Sequence, residues 1–172
     1  MIGWQKGYTY IYECVADEAI WNIACSAMKE TAKAFNKEYG ISLQVLNEHI
    51  DDLLNRFANR SLGDTVERVG RDPLRKMGSN DRLIGAALYC MAQGTETDNV
   101  IQGIIAALKY DNMADDSVLM MQSIIYHCGI NNFLKSYCDL EKKTALIEKI
   151  ENTFVNQERE TPSENKSGQI IW

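Results

Sequence analysis

"DEAIWNIACSAMKETAKAFNKEYG", residues 17–40, is the stretch that decides the fold of this chain. Asp17 is of a residue type that caps helix N-termini, and Gly40 is of the type that most often ends a helix. The apolar residues between them recur every three or four positions, as on one face of a helix: Ile20, Ile23, Ala24, Ala27, Met28 and Phe35. The stretch therefore predicts one long amphipathic helix.

The same period recurs along most of the chain. Further helices are predicted over 42–58, from Asn80 or Asp81 up to Gly94, from Asp98 over "DNVIQGIIAALKY", from Asp115 or Asp116 over "SVLMMQSIIYHCG", and once or twice within 131–154. No alternation typical of a strand is longer than "YTYIY" at residues 8–12. We therefore predict an all-α, multi-helical bundle over residues 1–156, with a loop over 59–79 that has room for one short helix, and a mobile polar tail over 157–172.

The composition is that of a single globular domain. The chain has 172 residues, of which 45% are hydrophobic and 24% charged, and its net charge is −6. This acidic balance disfavours broad binding to nucleic acid or to an anionic membrane, because phosphate-rich partners need a basic face. No apolar run approaches the roughly 20 residues that span a bilayer, and the N-terminus lacks the apolar core of a signal peptide. We therefore predict a cytoplasmic protein.

The cysteines and histidines show no metal-ligand spacing. The five cysteines are widely separated, without a Cys-x-x-Cys pair: Cys14, Cys25, Cys90, Cys128 and Cys138. We predict buried, reduced thiols and no metal site. His127 lies in an apolar helix and is predicted to be a hydrogen-bonded core residue. His49 has no second histidine near it in sequence, so neither histidine is assigned a role.

A basic segment, defined as residues 56–82, interrupts the helical pattern. It holds seven of the chain's 18 Lys and Arg residues against four acidic residues, a net charge of +3. Five of the seven lie in the run "VERVGRDPLRKMGSNDRL", Val66–Leu83. Arginine forks and free backbone N–H groups in a loop suit the capture of a phosphate or a carboxylate. Composition alone favours the alternative, in which these arginines pair with neighbouring acids and tie the loop to the helices.

The motifs around the basic segment resemble a known family. The run "LLNRFANRSLGDTVERVGRDPLRKMGSNDRLIGAAL", preceded by "GYTYIYECVAD" and followed in frame by "VIQGIIAALKYDN", closely resembles the C-terminal domain of the mannitol-1-phosphate 5-dehydrogenases. These belong to the polyol-specific long-chain dehydrogenases, and the likeness covers residues 2–154. It implies a helical substrate domain, like the C-terminal domain of 6-phosphogluconate dehydrogenase. The implied reaction is the interconversion of mannitol 1-phosphate and fructose 6-phosphate with NAD, without a metal.

The catalytic part of that family is missing from this sequence. Its lysine, asparagine and histidine signature and its Rossmann-type dinucleotide domain are expected upstream of the first residue. The resemblance therefore implies a substrate domain that is inactive alone, with no cofactor of its own and with NAD in the complete enzyme. The alternatives are a free-standing helical module, left by gene truncation, that binds phosphosugars or a partner protein, and an unrelated helical scaffold whose basic loop is structural.

The resemblance also assigns substrate-binding roles. In the wider family an arginine and a lysine eight positions later line the polyol pocket, and Arg68 and Lys76 have that spacing. Arg71 and Arg75, in the "GRDPLRK" form typical of the phosphosugar branch, are the candidates for the substrate phosphate. The expected ligand is a phosphorylated hexitol or ketose. No catalytic, cofactor-binding or metal-binding residue is predicted.

The expected protein partner is the Rossmann domain of the complete enzyme. A face that this domain covers would be apolar and, if left bare, prone to self-association. The N-terminal stretch "IGWQKGYTYIYECV" leads out of the catalytic region and is rich in aromatic residues. We therefore predict a homodimer that forms through Trp4, Tyr8 and their neighbours.

Overall fold

The structure is a computed structural model that describes residues 1–160. Over these residues it contains helices and no strand, which confirms the all-α prediction. The α-helices are α1 (Ile2–Gln5), α2 (Ile11–Ala16), α3 (Glu18–Tyr39), α4 (Leu43–Phe57), α5 (Val66–Gly70), α6 (Pro73–Lys76), α7 (Ile84–Ala92), α8 (Asp98–Leu108), α9 (Asp116–Ser136) and α10 (Thr144–Glu160), with a 3-10 helix over Arg60–Leu62. None of the helices in this range is long and apolar enough to cross a membrane.

The longest helix, α3, begins and ends where the sequence predicts. The Asp17 carboxylate accepts hydrogen bonds from the backbone N–H groups of Ala19 and Ile20, which satisfies two N–H groups that have no partner within the helix. Gly40 ends the helix in the left-handed conformation, with a φ of 68°. Ser42 caps α4 in the same way, so that α3 and α4 pack as a helical hairpin.

The core is built around α8. This helix packs against α3, α7 and α10 and is buried along most of its length, at Val100, Ile101 and every residue from Ile104 to Leu108. Phe133 and Leu134 of α9 and Ile150 of α10 close the core and are fully or almost fully buried. A helix buried nearly all round is expected at the centre of a bundle.

The N-terminus of α8 is capped by another helix. Its own N-cap residue, Thr97, makes no side-chain cap. Instead the Glu30 carboxylate on α3 accepts from the backbone N–H groups of Asn99 and Val100, at 2.9 and 3.0 Å, and from the Asn99 side-chain amide at 2.8 Å. Glu30 is only 4% exposed, and this cluster satisfies its charge with N–H donors at the positive end of α8. It fixes the position of α3 relative to α8.

Two boundaries differ from the prediction. The helix predicted to start at Asn80 or Asp81 begins at Ile84, and neither residue caps it. The 59–79 region holds three short helices rather than a loop with one. Two of them begin at a polar N-cap residue. The Thr65 side chain accepts a hydrogen bond from the backbone N–H of Arg68, and the Asp72 side chain accepts one from the backbone N–H of Arg75. Helices of four or five residues are too short to show apolar periodicity, so this pattern missed them.

The C-terminal helices show two further differences. Helix α9 is interrupted at Gly129, whose φ of 77° and ψ of 161° are not helical. Helix α10 continues through Glu160, so residues 157–160 of the predicted tail are helical. The rest of that tail lies outside the described residues.

The predicted burial of two side chains is wrong. His127 is exposed on α9 rather than part of the core, and Cys128 beside it is exposed as well. Three of the other cysteines are buried, as predicted, and all five are free thiols: Cys14, Cys90 and Cys138 are the buried ones, and Cys25 is half-buried. Ile124, Ile125 and Ile130 pack against the core, but His127 lies with Tyr126 on the exposed side of the helix.

Candidate functional site

The basic segment is attached to the N-terminal residues on one side. The backbone N–H of Val66 donates to Thr9 O, and the N–H of Ile11 donates to Asp64 O, each at 2.9 Å. These bonds surround an isolated antiparallel bridge between Tyr10 and Thr65. Helix α5 therefore starts from a fixed point beside α2.

On its other side the segment is attached to the start of α9. Asp115, the N-cap of α9, accepts from the backbone N–H of Asp72 at 2.8 Å. The Ser117 hydroxyl accepts from Leu74 N–H at 3.2 Å and donates to the Asp72 carboxylate at 3.0 Å. Burial alone would raise the pKa of Asp72, but the hydrogen bonds from Ser117 and Arg75 hold it below the ordinary value. Helix α6 is thus fixed to α9 by backbone and side-chain bonds.

A glycine allows the segment to approach the core closely. A Cβ atom at Gly70 would lie 2.7 Å from the hydroxyl of Tyr110, which is fully buried. Trp4 packs edge-on against the same tyrosine ring, with centroids 5.4 Å apart. Only glycine leaves room for the end of α5 at this position.

Lys76 is the most unusual residue of the segment. It is 7% exposed, and its ammonium donates to the carbonyl oxygens of Val69, at 2.7 Å, and of Arg71. These are carbonyls at the C-terminal end of α5, where a cation is favourable. No carboxylate of the described residues forms an ion pair with it. Burial, followed by the positive charges of Arg82 and Arg75, lowers the pKa of Lys76.

Two of the predicted arginines are engaged by neighbouring acids. Arg68 pairs with Asp64 four residues earlier. Arg75 donates from Nε to Asp72 at 3.0 Å and from a terminal nitrogen to Asp81 at 2.9 Å. Both guanidinium groups are exposed, and all three ion pairs are of the local kind that composition alone favoured.

Arg71 differs from these two. Its backbone carbonyl accepts from Lys76, and its backbone N–H donates to Glu67 O, so its main chain is fixed on both sides. Its exposed guanidinium has no hydrogen-bond or ion-pair partner among residues 1–160. Arg71 is therefore the predicted arginine whose fork is free for a ligand.

Among the described residues, the side chains of the four predicted residues do not share a hydrogen-bond or ion-pair partner. Each of the four has a different environment. Arg68 pairs with one acid four residues away, and Arg75 pairs with two acids. Lys76 donates to two backbone carbonyls, and the Arg71 guanidinium faces solvent. The residues that hold the segment, Asp72, Asp115 and Ser117, were not predicted to be part of the site. The sequence marked Asp115 only as a helix cap, and nothing in the local pattern indicated that its carboxylate also reaches α6.

The N-terminal aromatic residues pack against the domain's own helices. Trp4 donates from its indole nitrogen to Asp111 at 2.7 Å, and the Tyr8 hydroxyl donates to Asp17 at 2.9 Å. Both rings contribute to a small apolar cluster centred on Cys14, Ile20 and Val66. The segment predicted as a dimer face therefore also makes contacts within the chain, and the dimer through it stays a prediction.

The comparisons with known proteins agree with this architecture. A family model described as the mannitol dehydrogenase C-terminal domain matches residues 1–157. The chain is 33% identical over 153 residues to a mannitol-1-phosphate 5-dehydrogenase of Caldanaerobacter subterraneus subsp. tengcongensis, an alignment that covers 89% of this chain and 40% of that protein. It is 33% identical over 149 residues to a mannitol-1-phosphate 5-dehydrogenase of Thermoanaerobacter pseudethanolicus, covering 87% of this chain and 38% of that protein.

These matches exclude the hypothesis that the chain is an unrelated helical scaffold. The chain spans about two fifths of the length of the curated relatives it matches. The part it shares with them is the helical part that the structure shows, including the basic segment between α4 and α7. By its sequence and its all-helical fold, the chain belongs to the mannitol dehydrogenase C-terminal domain family.

Proposed function

We propose that this chain is the substrate-binding domain of an NAD-dependent mannitol-1-phosphate 5-dehydrogenase and is inactive alone. Its substrate would be a phosphorylated hexitol or ketose, in the interconversion of mannitol 1-phosphate and fructose 6-phosphate. The names of its relatives support the substrate class. The observation that carries the proposal is the buried ammonium of Lys76, which forms no ion pair with an acidic side chain among the described residues.

A buried lysine without a carboxylate has unused binding capacity. An ammonium group has three N–H donors, and Lys76 uses two of them on the carbonyls of Val69 and Arg71. Burial of a charge without a counter-ion is unfavourable, and an additional acceptor reduces that penalty. A hydroxyl group of a hexitol is a suitable acceptor for the third N–H.

The phosphate is assigned first to Arg71. Its fork is unpaired among the described residues, and its backbone carbonyl bonds to Lys76, so a ligand that contacts both residues is held at two points. An arginine fork binds phosphate oxygens in a bidentate manner. Arg68 takes part only if the substrate displaces Asp64, and Arg75 only if it displaces Asp72 and Asp81. Both guanidinium groups are exposed, and ion pairs at the surface contribute little free energy.

NAD does not fit the residues of this domain. A dinucleotide is held at a glycine-rich turn between a parallel strand and a helix. The described residues form helices and one isolated bridge, and they contain no such unit. We therefore assign hydride transfer to the remainder of a complete enzyme and confine this domain to binding and orienting the substrate.

Calorimetric titration of the chain with mannitol 1-phosphate tests the proposal, with mannitol and inorganic phosphate as comparison ligands. We expect mannitol 1-phosphate to bind more tightly than either. Arg71→Ala and Lys76→Met should each weaken binding by about tenfold or more, because a hydrogen bond to a charged group contributes roughly 1.5–3 kcal/mol. Far-ultraviolet circular dichroism should show that both variants keep the helical fold.

Arg56→Ala is the matched control. Arg56 is an exposed arginine of the same basic segment, so its removal changes the net charge equally. It should leave the affinity for mannitol 1-phosphate unchanged. Equal weakening by Arg56→Ala and Arg71→Ala would show non-specific attraction to the segment, and absence of binding by the unaltered chain would contradict the assignment.

The proposed inactivity has its own assay. Incubated with NAD and mannitol 1-phosphate, the purified chain should form no NADH above background. Turnover by a homogeneous sample would contradict it.

A further inference from the structure

The outward side of α9 is an exposed apolar surface that the proposed substrate site does not use. It lies before the interruption at Gly129, and we call it the α9 face. Tyr126 is 84% exposed and Met120 55% exposed. The exposed residues that form the α9 face are Leu119, Met120, Ser123, Tyr126 and His127.

The opposite side of the same helix is firmly packed. Val118 and Met121 are fully buried. The Gln122 side-chain amide donates to the carbonyl oxygens of Leu108 and Tyr110, each at 2.9 Å. The helix therefore cannot rotate to bury its exposed side within the chain, and that side is available to a partner.

The α9 face carries no formal charge. Residues 117–134 contain no Asp, Glu, Lys or Arg, in a chain that is 24% charged overall. With a net charge of −6, two copies of this chain repel each other on average. At the α9 face two copies can approach without placing like charges together, and interface centres are typically depleted of charged residues.

The positions on the face are also symmetric about Ser123. Met120 and Tyr126 lie three residues on either side of it, and Leu119 and His127 lie four residues on either side. When two identical helices pair antiparallel around a two-fold axis, a residue a given number of positions before the axis faces the residue the same number after it. An axis at Ser123 therefore places Met120 against Tyr126 twice, and methionine sulfur next to an aromatic ring is a favourable contact.

We propose that the chain forms a two-fold dimer through the α9 face, with antiparallel α9 helices crossing at Ser123. The small serine side chain allows the two helices to approach to the 8–10 Å axial separation of packed helices. One helix face from each copy is smaller than a standard protein interface. The dimer is therefore weak and dissociates on dilution.

Sedimentation equilibrium of the 172-residue chain over a wide concentration range tests the dimer. The mass should rise from the 19.5 kDa of one chain towards twice that value. Tyr126→Ser should weaken the association by at least tenfold. Tyr39→Ser, which removes another exposed aromatic ring on α3, should not change it. A monomer at every concentration would overturn the proposal and would indicate that a different partner covers the face. Equal weakening by the two substitutions would also overturn it.

Cross-linking tests the position of the axis. In a Cys128→Ser background, Ser123→Cys places a thiol at the axis, where the two copies face each other within disulfide range. Mild oxidation should give a disulfide-linked dimer rapidly, and the yield should fall on dilution. Ser61→Cys, an exposed serine in the 3-10 helix, is the matched control and should cross-link slowly. Equal rates for the two cysteines would place the contact elsewhere and overturn the proposal.

Discussion

The helical bundle and the basic segment each bury one charged side chain, and the two side chains have opposite environments. Glu30, in the packed bundle, is 4% exposed and accepts from two backbone N–H groups and a side-chain amide at the start of α8. Lys76, in the basic segment, is 7% exposed, and within residues 1–160 its ammonium donates hydrogen bonds only to two backbone carbonyls. The Glu30 carboxylate is satisfied by the fold, whereas the Lys76 ammonium keeps an unused donor. This difference is the basis for assigning Glu30 a structural role and for proposing that Lys76 binds a ligand.

The difference extends to the surroundings of each charge. Around Glu30, helices α3 and α8 pack over the centre of the core, and apolar side chains supply most of the stability. Around Lys76, short helices are held by caps and side-chain bonds such as those from Asp115 and Ser117. Substitutions in the two regions should therefore differ in magnitude and in the property that they change.

The largest effect is expected from Glu30→Ala. The substitution leaves the backbone N–H groups of Asn99 and Val100 buried without an acceptor and removes the cap of α8. We expect the free energy of unfolding to fall by about 1–3 kcal/mol. Urea denaturation followed by circular dichroism measures it.

Glu30→Gln and Glu96→Ala are the controls for this prediction. Glu30→Gln keeps one acceptor oxygen and should lose less stability than Glu30→Ala. Glu96, which is exposed and pairs with Lys33, should change the stability by no more than about 1 kcal/mol when replaced by alanine. Equal losses for Glu30→Ala and Glu96→Ala would refute the role of Glu30 as a cap between helices.

The bundle followed from the sequence because its signals are local and repeated. Asp17, Gly40, Ser42 and Asp115 cap or end helices where their residue types predict, and the apolar period identified the faces that pack. Thr97 is an exception, because the group that caps α8 comes from Glu30, 69 residues away from Asn99. A contact between residues so distant in sequence leaves no local pattern.

The candidate site was only partly predictable. The resemblance identified Arg68, Arg71, Arg75 and Lys76, but not their different environments. Whether a given arginine is free depends on which acid contacts it in the folded chain. Arg75 hydrogen-bonds to both Asp72 and Asp81, and the amino-acid composition does not predict this pairing. The burial of His127 was wrongly predicted for a related reason: an apolar stretch does not show which side of its helix faces the core.

Lys76→Met should have a smaller effect at neutral pH, and one that depends on pH. The substitution loses two hydrogen bonds but also removes a buried charge, and these contributions oppose each other. Because burial lowers the pKa of Lys76, the folded protein binds this proton less tightly than the unfolded chain does. The unfolding free energy of the unaltered protein should therefore rise, relative to Lys76→Met, as the pH increases towards the ordinary lysine value of 10.5.

The difference between the two proteins, measured by urea denaturation from pH 7 to pH 10, isolates Lys76 from the other groups that titrate in this range. Lys109→Met, at a lysine less buried than Lys76, is the control for the loss of a lysine elsewhere in the chain. A difference that stays constant with pH, or that falls, would contradict the unfavourable environment assigned to the ammonium of Lys76.

The smallest effect is expected from Arg68→Ala. The Arg68 side chain is 62% exposed and, among residues 1–160, pairs only with Asp64. The pair therefore gains little from Coulomb attraction in water and is screened by salt. We expect the free energy of unfolding to fall by about 0–1 kcal/mol at low ionic strength and the loss to shrink in 1 M sodium chloride. Parallel urea denaturation at the two salt concentrations measures both quantities. Asp64→Ala should cause a comparable loss, since it removes the other half of the pair. A salt-independent loss larger than that of Glu30→Ala would show that the basic segment, and not the helical core, controls the stability of this domain.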